Sequence, residues 1–134
     1  MEIKIVNANT LSAKTALLRV MEKAGSSQSV EVLNTWLTFS LGTDLFNAWL
    51  AFKGEEVVGL VTGEVVNADG LTIYIEFDYV KPGISANKEL MEKVEDWAKK
   101  IGAGKLLYYT KKSPAALISK FGFELVQSVL KKDL

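Results

Sequence analysis

The spacing of apolar positions changes along the chain, and each change marks an element. Glu2-Ile3-Lys4-Ile5-Val6 alternates as a half-buried strand does. Asn7 to Thr10 is polar and reads as a loop. Ser12 is placed to cap a helix with Ala13, Ala16, Leu17, Val20, Met21 and Ala24 on one face, and Gly25-Ser26-Ser27 ends it. Ser29 is placed to cap a second helix with Val30, Leu33, Leu37 and Leu41 along one side, broken by Gly42-Thr43-Asp44. From Phe46 the pattern shortens to that of strands. Phe46 to Phe52 and Val57 to Val66 are joined by the turn Lys53-Gly54-Glu55-Glu56. Asn67-Ala68-Asp69-Gly70 is a second turn, because Asn and Asp tolerate positive φ and Gly favours it. Leu71 to Val80 is a third strand, rich in Ile, Tyr, Phe and Val.

Ser85 or Asn87 then opens a helix carrying Leu90, Met91, Val94, Trp97, Ala98 and Ile101 at helical spacing, with Gly102 as its stop. Lys105 to Thr110 reads as a strand. Ser113-Pro114 is an N-cap followed by a first-turn proline, and that helix runs to about Phe121. Gly122 caps it, and Phe123 to Leu130 is a last strand. The order β-α-α-β-β-β-α-β-α-β predicts an α+β chain with α/β/α layers and a mixed, mostly antiparallel sheet. Without repeats, low-complexity tracts or linker composition, residues 1–134 read as a single domain.

Composition narrows the chemistry. The 134 residues suffice for a two-layer core, and 16 basic residues cancel 16 acidic ones. No net positive field points to nucleic acid or to a membrane surface. The chain has no Cys and no His. Disulfides, thiolate nucleophiles, Ser-His catalysis and the commonest metal ligands are therefore excluded, and no metal site is expected. A general base has to be Asp, Glu, Tyr, Lys or a bound water. The N-terminus lacks the apolar stretch of a signal peptide, and Phe46–Phe52 is too short to span a bilayer, so a cytoplasmic protein is expected by default.

Glu76 and Asp78 lie two apart on a strand and so share a face, with Tyr74 beside them. Adjacent carboxyls raise one another's pKa, which suits amine deprotonation. Equally, the two could line the solvent side of a half-covered sheet. Trp97 lies on its helix's apolar stripe and is expected in the core. Tyr108 and Tyr109 point to opposite faces of their strand.

Several segments, in this order, resemble the GNAT superfamily of N-acetyltransferases. Ile75-Glu76-Phe77-Asp78-Tyr79-Val80-Lys81-Pro82 looks like that family's fourth strand, and Leu90 to Ala98 like the helix after its pyrophosphate loop. Gly102-Ala103-Gly104-Lys105-Leu106 looks like the approach to its fifth strand, and Ala116 to Phe123 like the helix that ends in its Gly-Phe. The resemblance implies a GNAT-like fold and an acyl-CoA-dependent N-acetyltransferase, with acetyl-CoA as cosubstrate. The acceptor would be a small-molecule or peptide amine. Backbone groups of Phe77, Tyr79 and Val80 would pair with pantetheine, and a helix N-terminus with Gly83, Ser85, Ala86, Asn87 and Lys88 would cradle the pyrophosphate, aided by Lys81. Ser113 would stand in for a cofactor-side Asn. Glu76 and Asp78 would be catalytic, with Val80 N–H as oxyanion donor. Trp36, Phe39, Tyr74 and Tyr109 would line the acceptor pocket. The final strand or sheet edge offers a surface for a homodimer.

This chain departs from the family pattern in three places. Pro82 to Leu90 is a shortened phosphate loop, Ile118 stands where the family often has a Tyr that protonates the leaving thiolate, and Lys111 stands where it often has an Asn, unless Ser113 takes that role. The short loop and Ile118 point to the alternative, a catalytically inactive binding or interaction module of the same fold.

Overall fold

The computed structural model describes residues 2–108, 122–124 and 132–133. The described elements are strand β1 (Ile3–Asn7), a short 3-10 turn (Leu11–Ala13), α1 (Lys14–Lys23), α2 (Val30–Ser40), β2 (Phe46–Lys53), β3 (Glu56–Asn67), β4 (Leu71–Val80), α3 (Asn87–Ile101) and β5 (Lys105–Tyr108). The strands lie in the order β1-β2-β3-β4-β5. β1 to β4 form an antiparallel meander, and β5 joins β4 in parallel after the α3 crossover. The mixed, mostly antiparallel sheet expected from the pattern is present. The expected helix ending near Phe121 and the final strand lie outside the described residues.

Local chemistry accounts for the joints. Ser29 caps α2, its hydroxyl accepting from the Val32 N–H at 3.2 Å. Ser12 does not cap α1. The chain makes a 3-10 turn there and Ser12 bonds Thr10 instead, so α1 begins at Lys14 without a side-chain cap. The β3–β4 turn has Asp69 at φ 54 and Gly70 at φ 117, and Asn67 Oδ1 accepts from Gly70 N–H at 3.2 Å.

The sheet divides two cores. On one face Leu17, Val20 and Met21 of α1 and Leu33 and Leu37 of α2 pack on Phe46, Ala48, Leu50 and Leu60. On the other, Leu90, Met91, Val94 and Ala98 of α3 pack on Trp49, Val58, Val61, Ile73 and Ile75. Burying each large aliphatic side chain stabilises by about 1.5–3 kcal/mol. Trp97 joins the second core and meets Trp49 edge-on at 5.9 Å. Gly63 makes room for it, since a Cβ there would stand 2.9 Å from Ile73 and 3.2 Å from the Trp97 ring. Among the described residues no helix is long and apolar enough to cross a membrane.

Candidate active site

The site is organised by a break in the β3–β4 register. Thr62 pairs with Phe77 and Gly63 with Ile75, so Glu76 is an extra residue on β4. The N–H of Phe77 bonds the buried Thr62 hydroxyl at 3.2 Å. The bulge resets the alternation of side chains. Asp78 faces the α3 side, where it lies opposite Val61 and accepts from Tyr108 Oη at 3.2 Å. Glu76 faces the α1–α2 side, where the Glu64 carboxyl acts on it. The expectation that Glu76 and Asp78 share a face is therefore corrected, and neither acts on the other's titration.

Each carboxyl instead has its own environment. Burial, followed by the hydrogen bond and charge of Glu64, pushes Glu76 up to about 9. One of its oxygens, Oε1, is buried with no hydrogen-bond partner among the described residues. Burial also raises Asp78, against the opposing hydrogen bond from Tyr108. Tyr108 is held well above the ordinary phenol range, mainly by burial and then by the Asp78 charge.

The wall around Glu76 is aromatic. Phe46, Glu64 and Tyr74 form a row across β2, β3 and β4. Trp36 of α2 meets Phe46 edge-on at 5.4 Å and Phe77 at 5.7 Å. Phe39, a turn further along α2, is 79% exposed, and Leu45 is 63% exposed. Asn9 clamps the loop between them: its Oδ1 accepts from Gly42 N–H at 2.8 Å, and its Nδ2 donates to Thr43 O at 3.1 Å and Phe46 O at 2.8 Å. Sequence reading treated Asn9 as part of a plain loop and passed over Glu64. The signal for Glu64 was a carboxylate near the middle of an otherwise apolar strand.

On the other side of β4 lies an open edge. The β4–β5 register runs from Thr72↔Lys105 to Ile75↔Tyr108, and beyond it β4 has no strand partner on that edge among the described residues. Lys81 N–H bonds Val58 O at 2.8 Å. Antiparallel alternation then turns the backbone groups of Phe77, Tyr79 and Lys81 toward β3, and those of Asp78 and Val80 toward the open edge. Of Phe77, Tyr79 and Val80, Val80 turns its backbone groups to that edge, as does Asp78.

Past the strand, Ile84 N–H bonds Lys81 O at 3.1 Å and Gly83 has φ 87, so Lys81-Pro82-Gly83-Ile84 is a type II turn with Pro and Gly in their favoured places. The helix cap is Ala86, not Ser85 or Asn87, and no side chain caps α3. Its first N–H groups are left to an outside acceptor, with the helix dipole behind them. Ser85, Asn87 and Lys88 are exposed around this end. Lys81, just past β4, forms an exposed ion pair at 2.6 Å with Glu56 at the start of β3. Tyr109, Ser113 and Ile118 lie outside the described residues. Gly122 has φ 72, and Phe123 meets Tyr108 edge-on at 6.2 Å.

The sequence profile of the Acetyltransferase (GNAT) family matches residues 15–123. No curated protein sequence matches the chain. Among solved structures, AAC(6')-Iy in complex with the bisubstrate analogue CoA-S-monomethyl-acetylneamine superposes with a TM-score of 0.84 at 14% identity, covering 100% of this chain and 99% of that one. A predicted acetyltransferase with acetyl-CoA from Clostridium acetobutylicum gives 0.83 at 15% identity, covering 98% and 96%. A ribosomal-protein-alanine N-acetyltransferase from Brucella melitensis gives 0.76 at 14% identity, covering 99% and 100%. At such identities these likenesses show a shared fold.

Proposed function

The chain belongs to the acetyltransferase (GNAT) family, and on that premise we propose that it moves an acetyl group from acetyl-CoA to a primary amine by direct attack. The observation that carries this reading is the Glu76 bulge, which sets a buried carboxyl on the α1–α2 side of a strand that has no partner on its far edge beyond Ile75 among the described residues. The pantetheine amides would pair with Asp78 and Val80 as an added strand, and the pyrophosphate would sit on the uncapped N–H groups of α3. The amine would approach between Trp36 and Tyr74.

Glu76 first gives its own proton to solvent and then, as carboxylate, takes one proton from the incoming ammonium. The freed amine attacks the thioester carbonyl carbon, and Val80 N–H stabilises the oxyanion. The carbon–sulfur bond then breaks, the amide forms, and the thiolate takes the nitrogen's second proton through solvent. A carboxyl raised to about 9 is close in basicity to an alkylamine at about 10, which makes the transfer from the ammonium nearly balanced.

One observation favours the silent-module reading: Lys81, the cation nearest the turn, is held by Glu56. Release of free thiol from acetyl-CoA, measured across aminoglycosides, small polyamines and peptides with free N-termini, separates the two. The enzyme reading expects turnover with at least one amine, lost in Glu76→Gln while acetyl-CoA affinity is kept. Acetyl-CoA binding without turnover on any amine supports the silent module.

A further inference from the structure

α2 shows different company on its two flanks. On one, Lys14 of α1 donates to the Thr38 hydroxyl at 3.3 Å. On the other, Trp36 meets Phe77 of β4 at 5.7 Å. Helical spacing sets Val32 four residues before Trp36 and Phe39 three after it, on that second flank. The core does not claim them, because Leu33 and Leu37 form the buried side of α2. Val32 is 55% exposed and Phe39 is 79% exposed, so the stripe stands open to water. Below it, Tyr74, Phe77 and Tyr79 of β4 are half-buried on the α1–α2 side. The two rows wall a groove over the Glu76 bulge, about 10 Å long along the helix. Its walls are rings and a valine. Glu64 and Glu76 are the carboxyls on its floor, and burial keeps Glu76 protonated at neutral pH.

We propose that this groove receives the apolar group of the acceptor, with Phe39 as a specificity-determining residue, so that the chain prefers a small amine carrying one large ring to a bare alkylamine or a polycationic amino sugar. This rests on the amine-acetylation reading for its purpose, but the preference is measured by binding alone. The ring would lie against Trp36 and Phe77, whose planes are tilted by 39°, and offset or edge-on contacts with such rings are the favoured aromatic geometries. Phe39 would cover its outer side and lose its own exposure to water. An amino sugar would bring hydroxyls and several ammonium groups against ring faces that return few of the hydrogen bonds it gives up. The walls thus decide between acceptors by what they fail to pair as well as by what they cover.

Nitrogen-15 NMR of the tryptophan indoles follows binding in the intact protein. Phenethylammonium is expected to shift the Trp36 signal and to saturate at a concentration lower by roughly tenfold or more than ethylammonium or neamine requires. In Phe39→Ser that preference falls to about threefold or less. Thermal melts of this variant match the wild type, because the side chain is exposed in the free chain. Phe39→Leu restores most of the preference. Equal affinity for phenethylammonium and ethylammonium, or tighter binding of neamine, overturns the proposal, and so does a full preference retained in Phe39→Ser. If the preference holds while no amine is acetylated, the groove stands and the transferase reading fails. If amines are acetylated without regard to the ring, the transferase reading stands and the groove's role fails. Where turnover is present, Phe39→Ser raises KM for phenethylamine more than it lowers kcat, which a purely structural role for Phe39 would not produce.

Discussion

The Thr62 hydroxyl and the Phe77 N–H meet at 3.2 Å inside the sheet, and this bond pins the bulge that sets Glu76 apart. Thr62 is fully buried, so its hydroxyl has no water to turn to. Thr62→Val keeps the shape but leaves Phe77 N–H unpaired. The expected loss is about 1–3 kcal/mol in chemical denaturation. Thr62→Ser is expected to recover most of it.

Stability should fall with rising pH because of Glu76. Its folded value, about 9, lies above the ordinary 4.5, so the folded chain holds a proton that the unfolded chain has released. That stabilisation is fully present below the unfolded value and is lost as pH climbs through the folded one. Between them the slope reaches at most about 1.4 kcal/mol per pH unit. Thermal melts from pH 5 to pH 9 should show the decline, and Glu76→Gln, which mimics the protonated form, should flatten it. A wild-type curve as flat as the mutant's would contradict the burial of this carboxyl.

Backbone close to Gly59 and side chains close to Gly63 should make both intolerant of a side chain. A Cβ at Gly59 would lie 2.8 Å from the Tyr79 carbonyl oxygen, which cannot retreat without parting β3 from β4. Gly59→Ala and Gly63→Ala should each cost about 1–3 kcal/mol in denaturant midpoints. The Gly63 change should also alter Trp97 fluorescence, since the added Cβ would stand 3.2 Å from its ring, second only to Ile73 at 2.9 Å.

Tyr108→Phe removes the hydrogen bond that opposes the upward shift of Asp78. Asp78 should then titrate at higher pH by carboxyl NMR. The stability cost, about 1–3 kcal/mol near neutral pH, should shrink in acid as Asp78 protonates.

Much of the fold was legible because its cues are local. Ser29 caps α2 by its own side chain, and the α3 stripe of Leu90, Met91, Val94 and Ala98 repeats at helical spacing. The site was less legible because its cues lie across strands. Counting back from the Asn67↔Leu71 turn without a bulge would place Glu76 opposite Thr62 and keep it on the Asp78 face. The register shift, invisible within either strand, turns Asp78 to the other face instead, opposite Val61. The Lys81–Glu56 pair was hidden for the same reason, because Glu56 lies at the start of β3. The Ala86 cap was missed since Ser85 and Asn87 are better caps by type, but the type II turn at Pro82-Gly83 sets the helix entry between them.

The central claim is that the open β4 edge and the uncapped start of α3 hold acetyl-CoA. Calorimetric titration of the full chain with acetyl-CoA tests it most directly, with Lys88→Glu alongside. The account predicts saturable binding at micromolar concentration, weakened about tenfold in Lys88→Glu, where a carboxylate replaces an exposed ammonium beside the pyrophosphate. No binding at millimolar acetyl-CoA would contradict it.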